Sequence, residues 1–349
     1  AQGNVKIQSN AAITTLGGAF NVTGANDDGN ASFTASRAAE AGSFLLDTGS
    51  NITTTGAADK AAGAVTIKTA VRSNASLAAA TTGHITIKGN INALGGTASS
   101  GNAGKAGGAV TLHAGVSGTA GNIIIDEGGN ITTTGSNAVG SLIKDGGAGG
   151  AVELDTHTSG TITLTDATIT TAGGTQTGGG ANGNSGDIDI KDALLITSGT
   201  ADLTNTLNTG STQAGTGVIT ILSTIDGVTP GSGTNHDDHL DITSGVGGVT
   251  IGGDIGATTS LTTLDINATS GTGGISIQDV GDGDTTGVTG VARIGNSNTS
   301  SLSAGTTLKF GGGFTYAGNF ALGQNYSTSG GDVNILGNLT TSGTFSIDS

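Results

Sequence analysis

Short runs in which every second residue is apolar recur along this chain of 349 residues. Units of Gly followed by alternating apolar and polar positions read GAVTIK (Gly63 to Lys68), GHITIK (Gly83 to Lys88), GAVTLH (Gly108 to His113) and GNIIID (Gly121 to Asp126). They continue as GAVELD from Gly150, GTITLT from Gly160, GDIDIK from Gly186, GVITIL from Gly217, GGVTIG from Gly247, GGISIQ from Gly273 and GDVNIL from Gly331. Val, Ile or Leu at the third and fifth positions is the period-two pattern of a strand with one buried face. Val65 and Ile67, Ile85 and Ile87, Val110 and Leu112, and Ile123 and Ile125 are therefore expected inside, with Thr86 outside.

A second unit follows the first: NITTTG at Asn51 and Asn130, NINALGG at Asn90, ATITTAGG at Ala167 and ALLITSG at Ala193. Reading from Gly42, Gly83, Gly121 and Gly160, the composite returns every about 40 residues, with another strand unit between successive copies. The natural period is then about 20 residues, which means a solenoid, propeller or array. Further on, LDITSGVGGVTIGGDIG and LDINATSGTGGISIQDVG begin at Leu240 and Leu264, a somewhat longer spacing. Short strands separated by Gly-rich corners predict an all-β parallel β-helix with about 20–25 residues per rung, roughly 14 to 17 rungs and a length of about 70–80 Å. A propeller asks for aromatic blade signatures, and a sandwich array for longer strands.

The stretches GGDIGATTSLTTLDINATSGTGGISIQ (Gly252 to Gln278) and GNIIIDEGGNITTTG (Gly121 to Gly135) resemble the repeat regions of large bacterial exoproteins of the filamentous haemagglutinin type, also described as β-strand-repeat proteins. The similarity covers most of the chain with degenerate units. It implies a right-handed β-helix, secretion, and a surface-adhesive or structural role. The Asn-Pro-rich motif of that family's amino-terminal domains is missing, and the one proline is Pro230.

Four regions are expected: N-terminal rungs over 1–41, a regular β-helix over 42–199, less regular rungs with a polar loop over 200–245, and C-terminal rungs over 246–349. The aromatics gather at the two ends, with Phe20, Phe33 and Phe44 in one group and Phe310, Phe314, Tyr316, Phe320, Tyr326 and Phe345 in the other. A uniform solenoid has no internal reason to concentrate them, and interface cores are enriched in Phe and Tyr. These nine residues are the expected assembly interface.

Composition narrows the function classes. Gly supplies 67 residues, charged residues only 11%, and Cys, Met and Trp none. Disulfides and thiol chemistry are thereby excluded. A net charge of −15 with only 11 Lys and Arg argues against nucleic acid as partner. No apolar run approaches the length of a membrane span. A start at Ala1-Gln2 suits a processed secretory protein or an excised segment.

Candidate chemistry is sparse. GGGANG (Gly178 to Gly183) has dinucleotide-fingerprint spacing but leads into the strand-like GDIDIK rather than a helix. The densest polar group is NHDDHLD, where His236, Asp237, Asp238 and His239 offer imidazole and carboxylate ligands to a divalent ion. Asp282 and Asp284 in GDGDTTG, and Asp27 and Asp28 in GANDDGN, resemble calcium loops without the tandem repeat of calcium β-rolls. His84, His113 and His157 read as surface polar positions. Catalytic residues and cofactors are not expected; calcium is the one ion that the Asp-rich loops suggest. With no Trp and no aromatic between Leu45 and Lys309, a polysaccharide lyase is the remote alternative.

The expected function is a structural subunit of an extracellular bacterial fibre or sheath, a homopolymer joined head to tail. The strand units run from Asn4 almost to Ser349 without a polar capping helix, so bare terminal rungs would template further pairing. The alternative is an adhesin stalk or passenger segment that meets a host or cell-surface ligand.

Overall fold

The computed structural model describes residues 43–69, 83–115, 121–157, 160–199, 203–210, 216–228, 238–268, 275–281, 287–289 and 292–296. Shorter segments are described at 5–7, 12–14 and 20–23 before these, and at 308–310, 314–316, 320–322, 326–328, 332–335, 338–341 and 346–348 after them. The described residues are all-β, and the strands named in this chain pair in parallel throughout.

Among the described residues the strands follow three long ladders, with Phe320–Leu322 and Leu339–Thr341 forming a separate pair. In the first, Phe44–Leu46, Ile85–Ile87, Ile123–Ile125, Thr161–Thr165, Ala193–Thr197 and Ile225–Gly227 pair in succession. In the second, Asn51–Thr53, Asn90–Asn92, Asn130–Thr132, Thr168–Thr170, Asn205–Asn208, His239–Ser244 and Thr263–Ala268 do the same. The third joins Val65–Lys68, Val110–His113, Val152–Asp155, Ile188–Ile190, Ile219–Ile221, Val249–Ile255 and Ile275–Val280. As far as Ile219–Ile221, each strand pairs with the strand three places further along the chain, so one coil contributes one strand to every ladder. Val249–Ile255 then spans two ladders, Val249 pairing with Ile219 and Ile255 with Ile225.

The alternation sets which face is inside. Ile52, Ile91, Ile131, Ile169, Leu207, Ile242 and Ile266 form one interior column of the second ladder, and all are fully buried. Val65, Val110, Val152, Ile188 and Ile219 form another in the third, and Phe44, Ile85, Ile123, Ile162, Leu194 and Ile225 a column of the first. Every interior position expected above is buried at 0–1% exposure, while Thr86 faces outward. Burial of each such side chain contributes about 1.5–3 kcal/mol, which offsets the chain entropy of a Gly-rich sequence only when coils stack.

The coil length departs from expectation. Ile52 pairs with Ile91, Ile91 with Ile131 and Ile131 with Ile169, so a turn of the winding takes close to twice the expected length of chain. Side-chain bonds between the same strands, Asn130 to Asn90 and Thr168 to Asn130, bridge separations of 40 and 38 in sequence. The winding first contracts to the expected size where Ile242 pairs with Ile266, lengthens again where Ile266 pairs with Ile294, and is shorter between Phe314 and Val333. The second ladder has 11 strands among the described residues, fewer than the 14 to 17 rungs expected. The reason is that GAVTIK and GHITIK look alike but belong to different ladders: Val65 pairs with Val110, and Ile85 with Ile123. Half of a coil repeats the local pattern of the other half.

The extra length lies in arms between the second and third ladders, at 93–109, 133–151 and 171–187. Their hydrogen bonds follow a period of three. In the third coil, Gly135 and Ala138 donate to Ala172 and Thr175 of the next outgoing arm, whereas Ser136 and Val139 donate to Lys105 and Asn102 of the preceding returning arm. On the return, Gly146 and Gly149 donate to Ala181 and Asn184, while Gly147 and Gly150 donate to Ser136 and Thr133. Three residues per turn is polyproline II geometry, not the two-residue pleat of a strand. Chains packed this way leave no space for side chains at the contact. A Cβ on Gly174 would lie 1.9 Å from the Ser136 carbonyl oxygen, and one on Gly147 2.1 Å from that of Lys105.

Candidate functional site

Of the sequence-derived metal group around Pro230, the structure describes Asp238 and His239. Asp238 and His239 are neighbours at the start of His239–Ser244, and the strand sends them to opposite faces. Asp238 is buried, its Oδ2 accepting from the Val228 amide at 3.0 Å and its own amide donating to Thr262 Oγ1 at 3.1 Å. His239 lies on the outer face with Nδ1 2.6 Å from Thr263 Oγ1. Asp238 thus ties its corner to Val228 and Thr262. His236, Asp237, Asp282, Asp284, Asp27 and Asp28 lie outside the described residues.

Of the nine aromatics, Phe44 is an interior residue, 1% exposed and paired with Ile85, so it offers no surface to a partner. It stands within an apolar column, paired with Val5 on one side and Ile85 on the other, and its place in the strand FLL rather than its proximity to a chain end fixes its environment. Phe20 pairs with Val65, Phe310 with Thr328, Phe314 with Val333, Tyr316 with Ile335, Phe320 with Leu339 and Tyr326 with Ile347. Phe33 and Phe345 lie outside the described residues.

The structure brings together residues that the sequence presents as separate surface positions. His113 and Asp155 are cross-strand partners on the outer face of the third ladder, and Glu153 sits two positions before Asp155 on the same face. His113 Nε2 is 2.8 Å from Glu153 Oε1. One ligand atom from each of the three residues lies within 4.8 Å of the others, the one such triplet among the described residues. An imidazole with two carboxylates is a donor set for a borderline divalent ion. The group is also satisfied as it stands, because His113 and Glu153 partner each other and Asp155 Oδ1 accepts from the His157 amide at 2.7 Å. The E-x-D spacing in GAVELD shows that Glu153 and Asp155 share a face. Their meeting with His113 depends on the pairing of successive coils.

Two further charged groups tie one coil to the next. Lys88 Nζ lies 2.8 Å from Asp126 Oδ2, and that hydrogen bond, with the aspartate's charge, raises the lysine's pKa. Between Asn51–Thr53 and Val65–Lys68, Asp59 in a left-handed conformation (φ 60) accepts from the Ser99 amide at 2.9 Å, from the Ser99 hydroxyl and from Asn102 Nδ2 at 3.0 Å. Those bonds, the Ser99 hydroxyl first, hold its pKa down at about 2.

Compared with protein-family models, curated proteins and solved structures, the chain matches none. Among the described residues no helix is long and apolar enough to cross a membrane.

Proposed function

We propose that the chain is a right-handed parallel β-helix and serves as a structural subunit of an extracellular bacterial fibre or sheath, without catalytic activity of its own. The observation that supports this reading is the register. Strand after strand stacks in parallel with apolar residue over apolar residue, as from Ile52 through Ile91, Ile131 and Ile169 to Leu207. A coil in such a stack is a template for the next, because its outer edge presents backbone donors and acceptors in parallel spacing. A second copy supplying that next coil makes a heterologous contact, which propagates unless rotation closes it. The similarity of the strand units to filamentous haemagglutinin repeats, with their secretion, points the same way, and the absence of Cys suits service outside a cell.

The alternative, an adhesin stalk or passenger segment, is favoured by one feature. Leu142 and Ile143, 60% and 71% exposed, stand with Val139 at the tip of the third-coil arm, where a surface-binding protein would place its contacts. Negative-stain electron microscopy with sedimentation velocity over a range of concentrations separates the two readings. Filaments that lengthen with concentration support the fibre subunit; monomeric rods at every concentration contradict it.

A further inference from the structure

The corner between the first and second ladders carries an arrangement that neither hydrogen bonding nor packing explains. In the fourth coil it is formed by Asp166, a non-glycine residue in the left-handed region (φ 49) and only 8% exposed. Its Oδ1 accepts from the Leu203 amide of the following coil at 3.0 Å. Its Oδ2 is buried without a hydrogen-bond partner. A buried carboxylate oxygen left bare is costly, and a counter-charge or a ligand normally removes that cost.

Glu127, at the same corner one coil earlier, turns its carboxylate to the same place. The point that a Cβ on Gly199 would occupy lies 2.8 Å from Asp166 Oδ2 and 2.9 Å from Glu127 Oε2. Residue 199 is glycine, so no side chain fills that point. Three successive coils therefore contribute two carboxylate oxygens and the glycine backbone against which both are set, with no room for a side chain at residue 199.

We propose that this corner binds a hard divalent cation of the calcium type, with Asp166 Oδ2 and Glu127 Oε2 as its protein ligands. An all-oxygen donor set selects calcium over the softer transition ions, and calcium accepts a shell completed largely by water. Two carboxylates place the affinity at the weak end of the protein range, about 10⁻⁴–10⁻³ M. The ion would bridge coils, so binding stabilises the folded stack by mass action.

The test uses the full chain freed of metal with a chelator, then titrated with calcium chloride at constant ionic strength while the melting temperature is followed. Glu127→Gln removes one ligand charge at an exposed position, and Gly199→Ala keeps both carboxylates while its methyl group forces them from their places. Asp282→Asn with Asp284→Asn controls for the Asp-rich loop. Calcium is expected to raise the melting temperature of the wild type and of the loop variant, with loss of that rise in Glu127→Gln and in Gly199→Ala. A wild type indifferent to millimolar calcium, a rise retained in both corner variants, or a rise lost in the loop variant overturns the proposal.

Discussion

The Thr133 hydroxyl donates to the carbonyl oxygen of Gly150, closing the mouth of an arm 17 residues long by sequence separation. The same clasp joins Thr54 to Gly63, Thr171 to Gly186 and Thr209 to Gly217, across 9, 15 and 8 residues. Because the cost of closing a loop grows slowly with its length, the same buried side-chain bond closes arms of very different size in these four coils. This is how a stack of constant ladders tolerates coils of unequal length.

Replacing Thr133 by Val keeps the shape and removes the donor. We expect a loss of about 1–2 kcal/mol in unfolding free energy, from the buried carbonyl left without its hydroxyl. Thr132→Val, one residue earlier on the outer face, serves as the comparison and is expected to be nearly neutral. Chemical denaturation of both variants checks this, and equal effects would contradict the clasp.

The interior register is tested at a single strand. Ile87 pairs with Leu46 and Ile125 and is fully buried, whereas Thr86 beside it faces outward. Ile87→Asp is expected to cost more than about 4 kcal/mol, because a charge enters an apolar column, and Thr86→Asp about 0.5 kcal/mol. Circular dichroism on heating would show the former unfolded or strongly destabilised. Similar melting of the two variants would contradict the register.

Glycine is needed in the arms for space, and at some corners for conformation only. Gly174→Ala drives a Cβ to 1.9 Å from the Ser136 carbonyl oxygen, so a cost of about 3 kcal/mol is expected from forced separation of the arms. Gly128 has φ +86 but its Cβ would meet nothing nearer than 3.6 Å. Gly128→Ala is therefore expected to cost about 1–2 kcal/mol, the penalty of left-handed backbone alone. Reversal of that order in thermal melts would contradict the close packing of the arms.

Asp59 gives a pH dependence with a defined sign. Its pKa in the folded chain, about 2, lies below the ordinary 3.8, so the contact with Ser99 and Asn102 stabilises the fold above pH 3.8. That contribution is lost as the pH falls through 2. Nuclear magnetic resonance titration of the Asp59 carboxyl, together with the Ser99 amide, is expected to show a midpoint near 2 that moves toward 3.8 in Ser99→Ala. A midpoint at 3.8 in the wild type would contradict the geometry.

Burial is legible in the sequence at single-residue level, because the two-residue alternation of units such as GAVTIK determines its own inside and outside. Coil length is not. Val65–Lys68 and Ile85–Ile87 carry the same local pattern, and nothing within either shows that they lie in different ladders. The arms are equally hidden, since a three-residue hydrogen-bond period built on Gly, Ala and Asn has no hydrophobic signature to read. Sites that depend on stacking follow the same rule. Glu153 and Asp155 are visibly on one face, but His113 reaches them only through the coil register, as Glu127 and Asp166 come together beside Gly199. Phe44 shares a chain end with Phe20, yet its cross-strand partner Ile85 decides its place in the core.

The clasp, the arms and the corner site all require that strands one long coil apart be neighbours, and cysteine cross-linking tests this most directly in a chain that has no Cys of its own. Thr86 and Ile124 are outward-facing partners in the first ladder. Directly paired strand positions lie within disulfide reach. Under mild oxidation, the variant carrying Thr86→Cys with Ile124→Cys is expected to form an intramolecular disulfide in the folded state. The variant carrying Thr66→Cys with Thr86→Cys, which a coil of half the length would align, is expected to remain reduced. Rapid closure of the second pair and not the first would contradict the winding described here.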